Sequence, residues 1–261
     1  MRQAIRLKVL GTLALAAALA LSGGSAMADV SGKGKPVAYT CTGGEVPTGN
    51  YASLTVTGAC NVPAGAVISV DGNVNVAAGA VLDAQSAPST ITVGRNVTAA
   101  PGSLVGLGCQ PPSLTGNSAH ECVVDPLGHS IITVSGNVTG TDALAVLLNG
   151  ITVKGNVTLT GGGSDIPWSI KNNIIGGNLT VSGQTAAWLG VLFNQIGRNA
   201  TLTDITINDE HPDAPGVYVV RNTIGRNLTC TGLTPGVSGG FIPGSVNVVG
   251  NNANGQCAPL V

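Results

Sequence analysis

Charge and aromatic side chains are scarce in this chain of 261 residues: charged residues make up 9% and aromatic residues 3%. Without a basic excess there is no face for nucleic acid or an anionic bilayer, since both are held through clustered Lys and Arg. No apolar run after Ala28 is long enough to span a bilayer. No stretch past Ala28 shows a sustained apolar period of 3.6, and Gly and β-branched residues both disfavour helices. Close C-x-x-C pairs are missing, which removes the usual zinc frameworks. Neither His120 nor His129 has an evident Ser or Cys partner nearby, so a nucleophilic triad finds no support.

The segment 1–28 carries a basic start (Arg2, Arg6, Lys8), the apolar run "VLGTLALAAALAL" and the small-residue string "AMA" before Asp29. This reads as a Sec signal peptide cleaved after Ala28, which implies a secreted chain with no membrane insertion of its mature part. No Cys follows the run, which argues against a lipid anchor. Removing the leader removes three of the eleven Lys and Arg and none of the twelve Asp and Glu, so the mature formal charge is 8 − 12 = −4. Six cysteines follow, Cys41, Cys60, Cys109, Cys122, Cys230 and Cys257. An even number in an exported chain reads as a disulfide set, although six cysteines allow about 15 pairings. Pairing sequence neighbours (Cys41–Cys60, Cys109–Cys122, Cys230–Cys257) is the simplest choice.

What is abundant is Gly, Val, Thr and Asn in a repeating order. "NQIGRNATLT" at 194–203 returns as "NTIGRNLTCT" at 222–231, with seven of ten positions identical. Related Gly–Asn or Gly–Arg–Asn steps place Asn73, Asn96, Asn137, Asn156, Asn178, Asn199 and Asn227 along the chain. The long interval, from Asn96 to Asn137, is expected to hold about two units, which leaves a period of roughly 19–23 residues, the signature of a solenoid. In "ITVKGNVTLTG" (151–161), Ile151, Val153, Val157 and Leu159 alternate with Thr152, Thr158 and Thr160, so two short strands are joined at a Gly–Asn corner. Asn suits that corner because its amide can bond the same residue one lap away, and it tolerates a left-handed backbone. A second Asn stands five residues earlier in 173–178, 194–199, 222–227 and, more weakly, 247–252. The fold class expected is therefore all-β: a parallel β-helix of nine or ten coils over 50–261, with a cap segment at 29–49 and loop insertions at 108–128 and 208–216. The cap and the Cys230–Cys257 pair are expected to protect the open sheet edges.

These Gly–Asn–x–Thr coils resemble the secreted right-handed parallel β-helix proteins of the pectate-lyase-like superfold, and more loosely the bacterial repeat solenoids of that type. The resemblance implies a right-handed coil. It also implies a polysaccharide lyase or hydrolase as one reading, but a superfold hosts many activities. Those enzymes place several Asp, or Asp with Lys or Arg, on adjacent coils of one cleft, and here the coil bodies are Thr, Asn and Val.

The densest titratable cluster is Asp204, Asp209, Glu210, His211 and Asp213, with Arg198, Arg221 and Arg226 on coils expected to be neighbours. Asp209, Glu210 and Asp213 offer oxygen ligands for calcium, and stacked Arg residues suit a sugar carboxylate. Paired carboxylates can also perform acid/base work on a glycosidic bond. The alternative is a solvated acidic loop screening an Arg ladder. A second array comprises outward pairs at Thr55/Thr57, Thr139/Thr141, Thr158/Thr160, Thr180/Ser182, Thr201/Thr203 and Thr229/Thr231. Such a grid resembles the T-x-T face of solenoid antifreeze proteins, and Thr is also simply well suited to an exposed strand. Trp168, Trp188 and Tyr218 precede the Asn corners at similar distances and either cap a core layer or line one side as a sugar platform. Six N-x-T sequons begin at ladder asparagines, so the fold accounts for them without glycans. The leading expectation is a non-enzymatic exported scaffold whose partner is carbohydrate, wall material or another surface protein. The polysaccharide-active enzyme and the ice-binding face are the alternatives.

Overall fold

The computed structural model describes residues 35–209, 216–240 and 244–261. The segment read as a signal peptide, 1–28, lies outside the described residues, as do Glu210, His211 and Asp213. The rest is a parallel β-helix. One lap runs through Ile174–Ile175, Leu179–Ser182, Thr185–Ala186 and Leu189–Leu192 before the next begins at Gln195. Every strand pairing between laps is parallel, as in Leu179–Ser182 against Ala200–Thr203 and Leu189–Leu192 against Val217–Val220. One side of the column is a sheet of nine strands, from Gly44–Glu45 to Val237–Ser238, which counts nine laps. The remaining strands belong mainly to an eighteen-stranded sheet that runs on both sides of the Gly–Asn corner.

Residues 37–49, expected as a cap, already belong to the column. Val37–Cys41 pairs in parallel with Gly49–Val56, and Gly44–Glu45 with Ala59–Asn61. The three disulfides join sequence neighbours, Cys41–Cys60, Cys109–Cys122 and Cys230–Cys257. The first and last tie terminal laps to the next, and the middle one closes an insertion that contains one short helical turn at Pro112–Thr115. Three disulfides fit an oxidising, extracellular setting. No helix among the described residues is long and apolar enough to cross a membrane.

The core is narrow and made of stacked aliphatic side chains. Leu54, Val74, Val97, Val138, Val157, Leu179, Ala200 and Leu228 succeed one another along a single inward row, all buried. The alternation seen in "ITVKGNVTLT" holds: Ile151, Val153, Val157 and Leu159 are buried, and Thr152, Thr158 and Thr160 face out.

Asparagine fixes the register twice. At the Gly–Asn corner, the backbone N–H of each Asn donates to Oδ1 of the Asn one lap earlier, from Asn96 on Asn73 to Asn227 on Asn199, at 2.8–3.2 Å. Asn137 bonds Asn96 directly, so the interval expected to hold two units is a single lap enlarged by the insertion. The Nδ2 groups donate to the same oxygens at 3.0–3.4 Å. A second ladder, fully buried, links Asn173, Asn194, Asn222 and Asn247, with Nδ2 on the next Oδ1 at 2.9 Å. Here each Asn donates toward the following lap, so the two ladders run with opposite amide polarity. Each Nδ2 of the second ladder also donates backward to a strand carbonyl, of Leu148, Ile170, Val191 or Val219, at 2.8–3.0 Å.

One expectation about these asparagines is overturned. No ladder Asn has a left-handed backbone; among the described residues the non-glycine positions with positive φ are Asp142, Asn172, Phe193, Asp204 and Arg221. The reason is geometric. A ladder Asn aims its own N–H and its side chain along the column together; in the second ladder the left-handed bend falls on the residue before the Asn, at Asn172, Phe193 and Arg221.

Candidate functional site

Of the residues grouped by sequence as a binding cluster, the described ones (Asp204, Asp209, Arg198, Arg221 and Arg226) are distributed around the lap. Arg198 and Arg226 do stack, with the Arg226 N–H donating to the Arg198 carbonyl at 3.0 Å. Arg221 is not in that row. It bends the chain between Val217–Val220 and Thr223–Ile224 with φ 50°, and so stands at the other end of a two-residue strand. Asp204 occupies a third corner, after Ala200–Thr203, with φ 52°. Asp209 follows Thr206–Ile207 and lies close enough to Tyr218 for its charge to act on the phenol. Among the described residues no group of three or more His, Cys, Asp or Glu is placed to hold a metal ion.

Polar and aromatic groups converge instead on the outer face of the nine-stranded sheet. Along Trp168–Lys171, Trp168 and Ile170 point into the core, and Ser169 and Lys171 point out. Ser169 lies beside Asn149's strand on one side and pairs with Gly190 on the other. Its Oγ donates to Asn149 Oδ1 at 2.8 Å, and Asn149 Nδ2 donates to Gln85 Oε1 at 3.3 Å. These form a polar row across several laps.

The disulfide-closed insertion packs against one end of this face. Lys171 Nζ donates to the Ala119 carbonyl at 2.9 Å, and Asn172 Nδ2 to the Ser118 carbonyl at 3.0 Å. The Ser118 hydroxyl returns a bond to Asn172 Oδ1 at 2.8 Å. Burial lowers the Lys171 ammonium's pKa below its ordinary value. Burial also lowers that of His120, the nearby Lys171 charge adds to this, and Asp83 opposes it. Desolvation and a like charge thus both disfavour the imidazolium.

Past the covered end, the face carries Trp188 and Tyr218. Gly190 pairs with Tyr218 of the next lap, and Trp188 stands two residues before Gly190, on the same outer side. A Cβ at 190 would overlap the Trp188 indole, so the missing side chain lets the ring lie down on the sheet. The two rings sit 5.6 Å apart between centroids at 32°. Burial raises the Tyr218 phenol's pKa, and Asp209 adds to that.

The comparisons with known proteins leave the fold to speak alone. No family model, no curated protein and no solved structure matches the chain.

On the opposite strands, the Thr array is in register. Thr139, Thr158, Thr180, Thr201 and Thr229 pair in succession, and alongside them run Thr141, Thr160, Ser182, Thr203 and Thr231. The inner row continues through Thr98 and Asn75 to Thr55 and Thr40. His129 is exposed just after the insertion. Sequence reasoning missed Asp83, Gln85, Asn149, Ser169 and Lys171. The alternation in "WSIK" marks Ser169 and Lys171 as outward, but nothing in the repeat shows which outward side is built up.

Proposed function

We propose that the chain is an exported, non-enzymatic scaffold of the Gly–Asn–x–Thr solenoid type that binds carbohydrate or wall polymer through the outer face of its nine-stranded sheet. The observation that carries this reading is the asymmetry of the column. The Gly–Asn side repeats the same residues lap after lap, whereas the outer face of the nine-stranded sheet changes identity at every lap, from Asp83 through Ser169 to Tyr218. Both insertions join this sheet: 108–128 follows Leu104–Leu107, and 208–216 precedes Val217–Val220. Loops placed at one face of a repeat column are where recognition concentrates. The two Asn ladders, one of them buried, supply the rigidity that holds such a surface open without a ligand.

The test is retention. Chain purified from a secreting host is passed over insoluble cellulose, chitin, xylan and bacterial wall material. Retention on at least one, released by soluble fragments of the same polymer, is the expected result; passage through all of them defeats the proposal.

A second reading is adsorption to ice, favoured by the two in-register rows at Thr139–Thr229 and Thr141–Thr231. Neighbours along a row are about 4.8 Å apart and across rows about 7 Å. None of these ten hydroxyls is bonded to the protein among the described residues. Thermal hysteresis that disappears in Thr180→Tyr would support it, and absence of hysteresis in the unmodified chain would end it.

A further inference from the structure

We propose that Trp188 and Tyr218 form a stacking platform for a neutral pyranose chain; this rests on reading the outer face of the nine-stranded sheet as the ligand side. The two tryptophans of the chain make the contrast. Trp168 is buried to 1% exposure and its indole N–H donates to the Leu144 carbonyl at 2.9 Å, as a packing residue should. Trp188 is half-buried, points outward, and its indole N–H has no hydrogen bond to the protein among the described residues. A ring laid over a glycine, with a second ring 5.6 Å away in the next lap and tilted by 32°, presents two adjoining apolar ring faces. The axial C–H face of a pyranose is the complementary surface, and the free indole N–H can meet a ring hydroxyl.

Charge selects among sugars. The carboxylate of Asp209 lies by Tyr218, and the mature chain carries a formal 8 − 12 = −4, so both the site and the molecule repel a polyuronate. The Lys171 amine is desolvated and already donates to Ala119, so it is not held out to receive a carboxylate. Neutral hydroxyls can use Asp209 as an acceptor. Gly190 is then a specificity position rather than a spacer: any side chain there lifts the indole off the sheet.

The experiment titrates the secreted chain with cellohexaose, chitohexaose and maltohexaose, following tryptophan emission and calorimetric heat. At least one sugar is expected to shift emission saturably. Trp188→Ala should abolish the binding heat while leaving the Trp168 emission and the unfolding midpoint unchanged. Trp188→Phe should retain binding, and Gly190→Val should weaken it about tenfold or more, equivalent to about 1.4 kcal/mol. The platform is overturned if none of the three sugars shifts emission, or if Trp188→Ala binds as well as the parent chain. Retention of both parent and Trp188→Ala on the same insoluble polymer would overturn the platform alone and leave the broader scaffold reading standing.

Discussion

Replacing Asn194 with alanine should be among the most damaging single changes in the column. Its side chain makes four bonds: Nδ2 to Asn222 Oδ1 and to the Ile170 carbonyl, and Oδ1 from the N–H and the Nδ2 of Asn173. Alanine strands the Asn173 N–H at a position 1% exposed, where water cannot replace the acceptor. An orphaned buried donor costs about 1–3 kcal/mol and each of the three further lost bonds about 1 kcal/mol, so the expected loss is about 4–6 kcal/mol. Asn178 gives the matched comparison. It too loses its ladder bonds, to Asn156 and from Asn199, but its corner is half-exposed and solvent can stand in. Its alanine variant should lose only about 1–2 kcal/mol. Guanidinium unfolding with the disulfides intact measures both, and Trp168 and Trp188 report from the laps that hold Asn173 and Asn194. Destabilisation of the two variants by the same amount would show that burial of the second ladder does not set its worth.

Other expectations follow from the same contacts. His120 is held below 6.5, so the folded chain resists a proton that the unfolded chain accepts. The stability contributed by neutral His120 is therefore complete above pH 6.5 and is lost as pH falls through the folded value, and His120→Asn should flatten that part of the pH–stability curve. Changing Cys109 and Cys122 to Ser should free the insertion from the sheet and return Lys171 toward its ordinary pKa of 10.5, readable by NMR titration, with the unfolding of the core unaltered. Expression in a glycosylating host should leave Asn137, Asn156, Asn178 and Asn199 unmodified by mass spectrometry, because each Nδ2 is committed to the preceding Asn.

The sequence carries the column because the column is periodic. Asn73 to Asn227 recur at a spacing that stacking demands, and Val157, Leu159 and Thr158 alternate as a pleated strand must. The neighbouring-pair disulfides are legible too, since residues one lap apart are spatial neighbours. The candidate face is not legible, for the converse reason: Leu147, Ser169, Gly190 and Tyr218 occupy one outward row and share no residue type. Asp204 and Arg221, grouped by sequence, stand at different corners for a related cause. Within a lap of about twenty residues, positions a few apart already face different directions, so closeness in sequence is a poor guide to closeness on the surface.

The second ladder also decides where the column can accept insertions. Its row does not begin with Asn: Ile68, Ile91, Ile132 and Ile151 occupy it in the earlier laps. In the three laps of Ile68, Ile91 and Ile132 the strand that follows the corner is four residues long, at Val67–Val70, Thr90–Val93 and Ile131–Val134. From Thr152–Val153 onward it shrinks to two. The corner shrinks as well, to the pairs Gly150–Ile151, Asn172–Asn173, Phe193–Asn194 and Arg221–Asn222, each opening on a residue with φ between 50° and 72°. Such a tight corner takes the second residue's N–H out of the strand ladder, and the Oδ1 of the next Asn receives it; the Ile151 N–H bonds Asn173 Oδ1 at 3.0 Å for this reason. Isoleucine serves where the strand of the preceding lap is long enough to satisfy its own backbone, and asparagine where it is not. Inserting Gly-Ser-Gly between Asn172 and Asn173 should therefore break the ladder and lower the unfolding midpoint sharply. The same insertion between Pro126 and Leu127, in the exposed loop, should leave it unchanged. If both insertions were tolerated alike, the tight corner would not be what asparagine is there to satisfy.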